Sequence, residues 1–253
     1  MKLDSKVAIV TGSSRGLGKA IAIGFAREGA SVAVAARTEV DNKKLPGTIY
    51  QTVDEIKASG HDALAVRCNV ADEQSVNDMV ENVMAHFGHI DILVNNAGIA
   101  YGATVLELPL KRWELVLRVN LTGTFLCARA VLPKMVEQRR GSIINISSIA
   151  ATDLEGQDFT GLVYGVSKAG IERFTWGLAA EVGKDNIAVN TIKPKQTVDT
   201  EGMRINLPEA DWSQWVSPEI MVKAAVFLAT QDATGVTGTV ATDEEICACH
   251  GLT

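Results

Sequence analysis

Residues 6–28, KVAIVTGSSRGLGKAIAIGFARE, place an apolar run, a glycine-rich turn and an amphipathic stretch in immediate succession. The run VAIVTG has the continuous apolar character of a strand that is buried on both faces of a parallel sheet. Residues 16–28 then show the apolar spacing of an amphipathic helix. The segment predicts a strand, a tight turn and a helix, which together form the first βα unit of a parallel sheet.

The same alternation continues along the chain. Further runs rich in Val, Ile and Ala are SVAVAAR, ALAVRCNV, DILVNNAG, SIINISS and IAVNTIKP. The amphipathic stretches predict helices at 16–28, 48–59, 72–87, 111–138, 162–182 and 218–230. This order is typical of a doubly wound α/β fold with right-handed crossovers. Because no Pro- or Ser-rich linker interrupts it, we expect one domain over residues 1–253.

Two segments break this rhythm. Residues 38–50, TEVDNKKLPGTIY, lengthen the connection after the second strand, and an irregular stretch follows the sixth strand. Long loops in compact domains are often functional. We therefore expect residues of about 197–216 to form a lid over a substrate.

Composition excludes several classes of function. The net charge is −6, and no basic cluster is larger than the Arg139-Arg140 pair, so neither nucleic acid nor an acidic membrane is an expected partner. The chain shows no signal peptide and no apolar run near membrane-spanning length, and its four cysteines are scattered. We expect a cytoplasmic protein with reduced thiols. Cys247, Cys249 and His250 lack the second ligand pair of a structural zinc site, so no metal is expected.

The glycine turn, TGSSRGLG at residues 11–18, suits a dinucleotide. Gly12, Gly16 and Gly18 let the backbone turn tightly and approach a pyrophosphate, whose charge is favoured at a helix N-terminus. Glycines also serve plain turns, but the position between the first strand and the first helix is the context that supports dinucleotide binding.

The end of the second strand favours NADP(H) over NAD(H). An acidic residue there would bind the ribose hydroxyls of NAD, but Ala36 and Arg37 occupy this place. The guanidinium of Arg37, together with that of Arg15, suits a 2′-phosphate. The alternative is that both arginines are ordinary solvated side chains.

A tyrosine and a lysine, Tyr164 and Lys168, lie four residues apart in the predicted helix 162–182. This spacing places them on one helix face. A free tyrosine has a pKa of about 10, and a nearby ammonium lowers the pKa of a phenol. The pair could be a surface pair or a tuned proton donor.

Five motifs in this order resemble the classical short-chain dehydrogenase/reductases over nearly the whole chain. They are TGSSRGLG, NNAG at 95–98, Asn120 in RVNLTGTF, Ser148 in INISSIA, and Tyr164 with Lys168. The resemblance implies a single-domain Rossmann fold with seven parallel strands and helices on both faces. It also implies a homotetramer or homodimer, assembled through helices 111–138 and 162–182.

The resemblance assigns roles to four catalytic residues. Tyr164 would donate the proton, and Lys168 would bind the nicotinamide ribose and lower the pKa of the phenol. Ser148 would polarise the substrate carbonyl, and Asn120 would hold a water that links Lys168 to solvent. The pattern alone leaves Ser147 and Ser148 open, while alignment of IINISS with the family favours Ser148.

The resemblance also implies a set of cofactor contacts. These are Gly12, Ser14, Arg15, Gly16, Leu17, Gly18, Arg37, Thr38, Asn69, Val70, Asn95, Ala97, Gly98, Tyr164, Lys168, Pro194, Val198 and Thr200. The chain departs from the family where Asn69 replaces a frequent Asp and where Lys195 replaces the Gly after Pro194. TDEE at 242–245 replaces a frequent Asp-Gly-Gly.

Together these features predict an NADP(H)-dependent oxidoreductase that reduces a ketone to a secondary alcohol, reversibly. The expected substrate pocket is apolar, formed by residues 99–102, the loop with Asp153, Glu155, Asp158 and Phe159, and Met203, Leu207, Trp212 and Trp215. One alternative is a 3-oxoacyl thioester reductase, against which Ala180 argues because carrier-protein reductases often have a basic residue there. Another is a nucleotide-bound sensor or scaffold without turnover.

Overall fold

A computed structural model describes residues 1–41, 45–152 and 161–252. Its centre is one seven-stranded parallel sheet in the order β3-β2-β1-β4-β5-β6-β7. The strands are β1 (Val7–Thr11), β2 (Ser31–Ala36), β3 (Ala63–Arg67), β4 (Ile92–Asn95), β5 (Gly141–Ile146), β6 (Ile187–Lys193) and β7 (Val240–Thr242). The predicted doubly wound, seven-stranded Rossmann fold is confirmed.

Helices cover both faces of the sheet. They are α1 (Gly16–Arg27), α2 (Ile49–Ala58), α3 (Glu73–Phe87), α4 (Leu110–Leu117), α5 (Gly123–Gln138), α6 (Leu162–Val182), α7 (Glu201–Asn206), α8 (Glu219–Ala229) and α9 (Asp243–Cys249). A π-helical turn, Arg118–Thr122, joins α4 to α5. Short 3₁₀ turns lie at Ile149–Ala151, Gly183–Asp185 and Trp212–Gln214.

The strands are apolar throughout because both of their faces are buried. Along β1, Ala8 and Val10 join the core beneath α1, α2 and α8, whereas Val7 and Ile9 join the core beneath α3, α5 and α6. A side chain in a strand points to the face opposite its neighbour's, so a strand between two helix layers needs apolar residues at every position. This explains the continuous runs in the sequence.

The strand order places a crevice above β1 and β4. The chain moves from β1 outward to β2 and β3, then returns to pair β4 with the other side of β1. In open parallel sheets, ligands bind at the carboxyl ends of the strands at this switch point.

The predicted helix 111–138 is confirmed as a continuous helical stretch from Leu110 to Gln138. It contains a π-helical turn, and Pro133 lies inside α5. The expectation that no apolar run approaches membrane-spanning length is wrong, since Leu110–Gln138 has 29 helical residues and a mean hydropathy of 1.5 over its most apolar window. Half of that window is buried within the fold, where α5 packs on α3, β4 and β5.

The last strand and the last helix were not visible as patterns in the sequence. β7 has only three residues, too few for a recognisable apolar run. The TDEE segment starts α9, because Thr242 and Glu245 form a reciprocal capping box. In that helix Cys247 is buried and Cys249 is exposed, while His250 stacks on Phe227 with ring centroids 4.2 Å apart.

Candidate active site

A cavity of about 530 Å³ opens at the carboxyl ends of β1, β2 and β4. Eleven of the predicted cofactor residues line it: Gly12, Ser14, Arg15, Leu17, Gly18, Arg37, Thr38, Asn69, Val70, Ala97 and Gly98. The wall also contains Ile99 and Ala100 of the predicted substrate pocket and Gly202 and Asn206 of the predicted lid. Its remaining residues were not predicted as contacts: Ala36, Leu45, Cys68, Asn96 and Val119. The size and the position of this cavity suit an extended dinucleotide.

Neighbouring atoms approach the glycine turn so closely that Gly12 and Gly18 have no room for a Cβ atom. A Cβ at Gly18 would lie 2.6 Å from the carbonyl oxygen of Gly12. Gly12 itself has a φ of +68°, and a Cβ there would lie 2.8 Å from the Cα of Ala97. Only glycine fits at these two positions, both of which line the cavity, so the backbone itself forms this part of the wall, as the close approach of a pyrophosphate requires. These residues fit a nicotinamide dinucleotide.

Asn96, rather than the predicted Asn95, supports the glycine turn. The Nδ2 of Asn96 donates hydrogen bonds to the carbonyl oxygens of Thr11 at 2.9 Å and Gly12 at 3.2 Å. Asn95 is buried away from the cavity, where its Nδ2 donates to Oδ1 of Asn145 at 2.9 Å. Adjacent residues of a strand point to opposite faces, so the NNAG pattern could not tell the two apart.

A carboxylate lies at the N-terminus of α1. The backbone N–H of Gly16 donates to Oε2 of Glu201 at 3.0 Å, and Gly16 does not line the cavity. Glu201 is the first residue of α7, and Gly202 of the same helix lines the cavity. An anion of the protein itself therefore occupies a position that suits a cofactor phosphate.

Three other predicted cofactor residues do not line the cavity. Pro194 directly follows β6, Val198 forms a parallel bridge with Val216, and Thr200 caps α7 by accepting from the N–H of Met203 at 3.3 Å. Val198 and Thr200 therefore stabilise the 197–216 segment from within.

The two arginines predicted for the 2′-phosphate have different surroundings. Arg37 is exposed on the cavity wall and forms no ion pair within the described part of the chain. Arg15 donates through Nε to the carbonyl oxygen of Pro46 at 2.8 Å and through Nη2 to that of Gly47 at 2.6 Å. Burial lowers the pKa of Arg15. Arg15 thus fastens the long connection after β2 to the glycine turn.

Asn69 lines the cavity near the predicted adenine position. Its Oδ1 accepts from the N–H of Ala71 at 3.3 Å, which closes a local turn. A carboxamide oxygen has two lone pairs, so one remains for a ligand.

Helix α6 carries Tyr164 and Lys168 on one face. Nζ of Lys168 lies 5.5 Å from the centroid of the tyrosine ring, and Ser148 is near enough to the phenol to act on its pKa. Lys168 is buried, and its Nζ donates to the carbonyl oxygen of Ile146 at 2.6 Å. Neither Tyr164 nor Lys168 is part of the cavity wall, although Ile99 beside them is.

The pKa of Tyr164 differs from the expectation. Burial raises it, with the hydrogen bond from Ser148 acting in the opposite direction, whereas the sequence predicted that Lys168 would lower it. The ammonium of Lys168 is bound to a carbonyl oxygen, and burial lowers the pKa of this lysine to about 8. Burial therefore moves the two pKa values apart, because it disfavours the charged form of each group.

Asn120 is fully buried in the π-helical turn, and its side chain is used internally. Its Nδ2 donates to the carbonyl oxygen of Ile99 and to Oγ of Ser167, both at 2.9 Å. Its Oδ1 accepts from the N–H of Ile99 at 2.9 Å. The carboxamide therefore ties residue 99 of the cavity wall to α6, and its N–H groups are not available for the predicted water.

Ser147 and Ser148, between which the sequence pattern could not choose, have different surroundings in the structure. The hydroxyl of Ser147 is buried and donates to Oε1 of Glu172 at 2.8 Å. Ser148 is the residue whose hydroxyl meets Tyr164. Alternation at the end of β5 sends neighbouring side chains to opposite faces.

The segment 197–216 carries the predicted aromatic residues. The rings of Trp212 and Trp215 have centroids 6.2 Å apart, and Nε1 of Trp212 donates to the carbonyl oxygen of Leu207 at 3.0 Å. Arg204 lies over the Trp212 ring at 4.8 Å and pairs with Asp199. The predicted contributions of Asp153, Glu155, Asp158 and Phe159 lie outside the described residues.

Comparison with known proteins places the chain in a family. The sequence profile described as short chain dehydrogenase matches residues 6–210. The (2S)-[(R)-hydroxy(phenyl)methyl]succinyl-CoA dehydrogenase subunit BbsD of Thauera aromatica is 36% identical over 249 residues, which cover 95% of each chain. The hydroxysteroid dehydrogenase-like protein 2 of Danio rerio is 36% identical over 252 residues, and the match spans 60% of its length.

Solved structures agree with this relationship. A Xanthomonas campestris protein superposes with a TM-score of 0.91 at 36% identity, covering 100% of this chain and 92% of the other. A short-chain type dehydrogenase/reductase from Mycobacterium marinum superposes with a TM-score of 0.82 at 31% identity, covering 95% and 94%. The chain belongs to the short chain dehydrogenase family, whose members are oxidoreductases that use a nicotinamide cofactor.

Proposed function

We propose that the protein is an NADP(H)-dependent oxidoreductase that reduces a ketone to a secondary alcohol, reversibly, with Tyr164 as the proton donor. The observation that carries this proposal is that Tyr164 lies beside the buried Lys168, with Nζ 5.5 Å from the centroid of its ring, and that Ser148 is close enough to affect the pKa of its phenol. In this proposal the cofactor extends from Arg37 past the glycine turn, and its nicotinamide meets these groups.

Each side chain has a task in this reaction. NADPH, when bound, supplies the hydride to the carbonyl carbon. The hydroxyl of Tyr164 transfers its proton to the carbonyl oxygen, and the hydroxyl of Ser148 donates a hydrogen bond to the same oxygen. Lys168, held by the carbonyl oxygen of Ile146, keeps a positive charge near the tyrosinate that forms. In the reverse direction Tyr164 accepts the proton of the alcohol.

Preference for NADP(H) rests on charge at the end of β2. Arg37 is exposed on the cavity wall, where a 2′-phosphate would meet it. Glu39, the nearest acidic residue that follows, is engaged by Arg67 at 3.1 Å and by the hydroxyl of Tyr50 at 3.1 Å. No carboxylate therefore stands in the place that NAD-binding chains use for the ribose hydroxyls.

A 3-oxoacyl thioester is a second candidate substrate. The similarity to BbsD covers 95% of both chains, and the name of that protein describes a hydroxyl-bearing succinyl-CoA. The same proton donor would serve a carbonyl group near a thioester. Acyl-CoA substrates therefore belong in the substrate panel beside simple ketones and steroids.

Assembly as a homotetramer or homodimer is part of the proposal. Helices α5 and α6 leave large apolar side chains exposed, among them Phe125, Val166 and Trp176. A second copy that covers them would remove this apolar surface from water. We further propose a cytoplasmic location, which keeps the four thiols reduced.

Oxidation of NADPH, followed at a panel of ketones, β-keto esters, 3-oxoacyl-CoA thioesters, steroids and sugars, tests the proposal. We expect turnover with at least one carbonyl class and a lower KM for NADPH than for NADH. Binding of NADPH without turnover on any class would instead favour a sensor or scaffold. The presence of Ser148, Tyr164 and Lys168 together argues for turnover.

A further inference from the structure

A buried ion pair lies directly behind the catalytic residues. Nζ of Lys193 is 2.9 Å from Oε1 of Glu172, and the two side chains are only 11% and 5% exposed. The same carboxylate oxygen accepts the hydroxyl of Ser147 at 2.8 Å. Lys193 also reaches Oγ1 of Thr152 at 3.5 Å. One carboxylate and one ammonium thus join the ends of β5 and β6 to α6.

Two connections lead from the ion pair to the residues around the proton donor. Along α6, Glu172 follows Lys168 by four residues, which places them one turn apart on the same face. Along the chain after β5, Ser147 stands between Ile146, which binds Lys168, and Ser148, which binds Tyr164. Helix α6 and residues 146–148 thus each connect the ion pair to the Tyr164–Lys168 pair.

Stability alone does not account for such a pair. Two charges lose hydration when they are buried, and a buried ion pair can often be replaced by apolar residues at no loss of stability. Removal of one partner is different, since it leaves an uncompensated charge in a medium of low dielectric constant. Here that charge would act on Lys168 and Tyr164.

We propose that Glu172 and Lys193 are positioning residues for the proton donor. Each neutralises the other, so that no net charge of the core acts on the Tyr164–Lys168 pair, and Glu172 also orients Ser147 and with it the backbone of Ser148. This inference rests on the proposed function, in which Tyr164 is the proton donor.

Other charged groups near α6 are solvated, remote or on the far side of Lys193. From α4 and the π-helical turn they are the exposed Lys111, Arg112, Glu114 and Arg118, and from α6 itself the exposed Arg173 and Glu181. Lys184 and Asp185 lie beyond the C-terminal end of α6. Glu245 of α9 interacts electrostatically with Lys193 and Lys195. Within the described residues, Glu172 is thus a buried charge on the same helix as Lys168, paired with Lys193 of β6, and the buried Asp243 of α9 accepts from the N–H of Lys195 beyond it.

Titration of Tyr164 by nuclear magnetic resonance tests the inference without any substrate. The chain has three tyrosines, so a protein with ¹³C-labelled tyrosine rings gives three ring signals, and the Tyr164→Phe variant identifies the one of interest. The quantity measured is the pH midpoint of that signal in the whole chain.

The two single variants should move this midpoint in opposite directions. Lys193→Met leaves the carboxylate of Glu172 alone, which disfavours tyrosinate, so we expect a rise of about one pH unit. Glu172→Gln leaves the ammonium of Lys193 alone and should lower the midpoint. The double variant has neither charge and should return close to the wild-type value. Lys184→Met removes an exposed charge and should have no effect.

Two results would overturn the inference: an unchanged midpoint in Lys193→Met, or a shift that persists undiminished in the double variant. Circular dichroism shows whether each variant folds. If Lys193→Met does not fold, the isosteric Glu172→Gln decides, and a midpoint equal to wild type then overturns the inference. Opposed shifts without turnover on any carbonyl would support the ion pair and contradict the proposed function, whereas turnover with unmoved midpoints would do the reverse.

Discussion

The residues proposed for catalysis and the 197–216 segment are held in different ways. Lys168 and Asn120 are buried, and each is bound to backbone atoms of a neighbouring element. Glu201 and Arg204 are exposed; Glu201 accepts from the N–H of Gly16, and Arg204 binds Asp199 and lies over the Trp212 ring. Exposed contacts contribute little because water and salt compete for them. We expect the buried residues to determine the rate and the exposed ones to adjust affinity.

Loss of the tyrosine hydroxyl should have the largest effect. Tyr164→Phe keeps the ring but removes the proton, so turnover should fall by roughly 10²–10⁴, the usual contribution of a general acid. Steady-state kinetics on the best substrate of the panel measure this. Tyr50→Phe, on the exposed face of α2, is the matched control and should turn over as wild type does. Comparable turnover in both variants would remove Tyr164 from the mechanism.

Substitution of the residues at the end of β2 should have the second largest effect. Ala36→Asp with Arg37→Ile removes a guanidinium and supplies a carboxylate for ribose hydroxyls, so the preference for NADP over NAD should fall roughly ten- to hundredfold. The ratio of kcat/KM values for the two cofactors reports it. Arg15→Ala is the comparison variant and should change the ratio less, because carbonyl oxygens of residues 46 and 47 already use its guanidinium. Equal ratios in wild type and the double variant would show that Arg37 does not bind the phosphate.

The buried lysine should make stability depend on pH. Its pKa is 10.5 in an unfolded chain and about 8 in the fold, so the unfolded state binds more protons between these values. The free energy of unfolding should therefore rise with pH from about 8 toward 10.5, by about 1–2 kcal/mol. Urea denaturation of wild type and Lys168→Met measures the difference, which the variant should lack. A rise of equal size in Lys168→Met would assign it to other groups.

Removal of the carboxylate at the start of α1 should have the smallest effect, and it should increase the affinity for NADPH. Glu201→Gln removes an anion that competes with a phosphate for the N–H of Gly16, so the Kd for NADPH should fall by a factor of roughly three to ten. Calorimetric titration measures it. Glu209→Gln removes an exposed charge from the same segment and should leave the Kd unchanged. A weaker affinity in Glu201→Gln would mean that the carboxylate helps to form the site.

Local patterns were sufficient to predict most of the fold. The apolar runs located six strands because a parallel sheet between two helix layers buries every strand residue. β7 has three residues and α9 begins in a polar TDEE segment, so neither has a pattern long enough to recognise. The π-helical turn within helix 111–138 was not predicted, since apolar spacing does not report such a turn.

Some residues of the site could be predicted from local spacing, whereas others depend on contacts between distant parts of the chain. Tyr164 and Lys168 were found because a four-residue spacing brings them together on any helix. Asn96 and Asn95 could not be distinguished, nor could the surroundings of Arg15 and Arg37, because these depend on which distant backbone atoms lie nearby. The direction of the Tyr164 pKa shift was wrong, since burial depends on the whole fold.

The sequence by itself determined the order of strands and helices, the glycine turn and the Tyr164–Lys168 pair, all of which depend on neighbours along the chain. Only the tertiary structure decided that Glu201 contacts Gly16 across 185 positions, that Asn120 binds Ile99, and that Glu172 pairs with Lys193. The physical reason is that hydrogen bonds and charges act over a few ångströms of space, irrespective of distance along the chain.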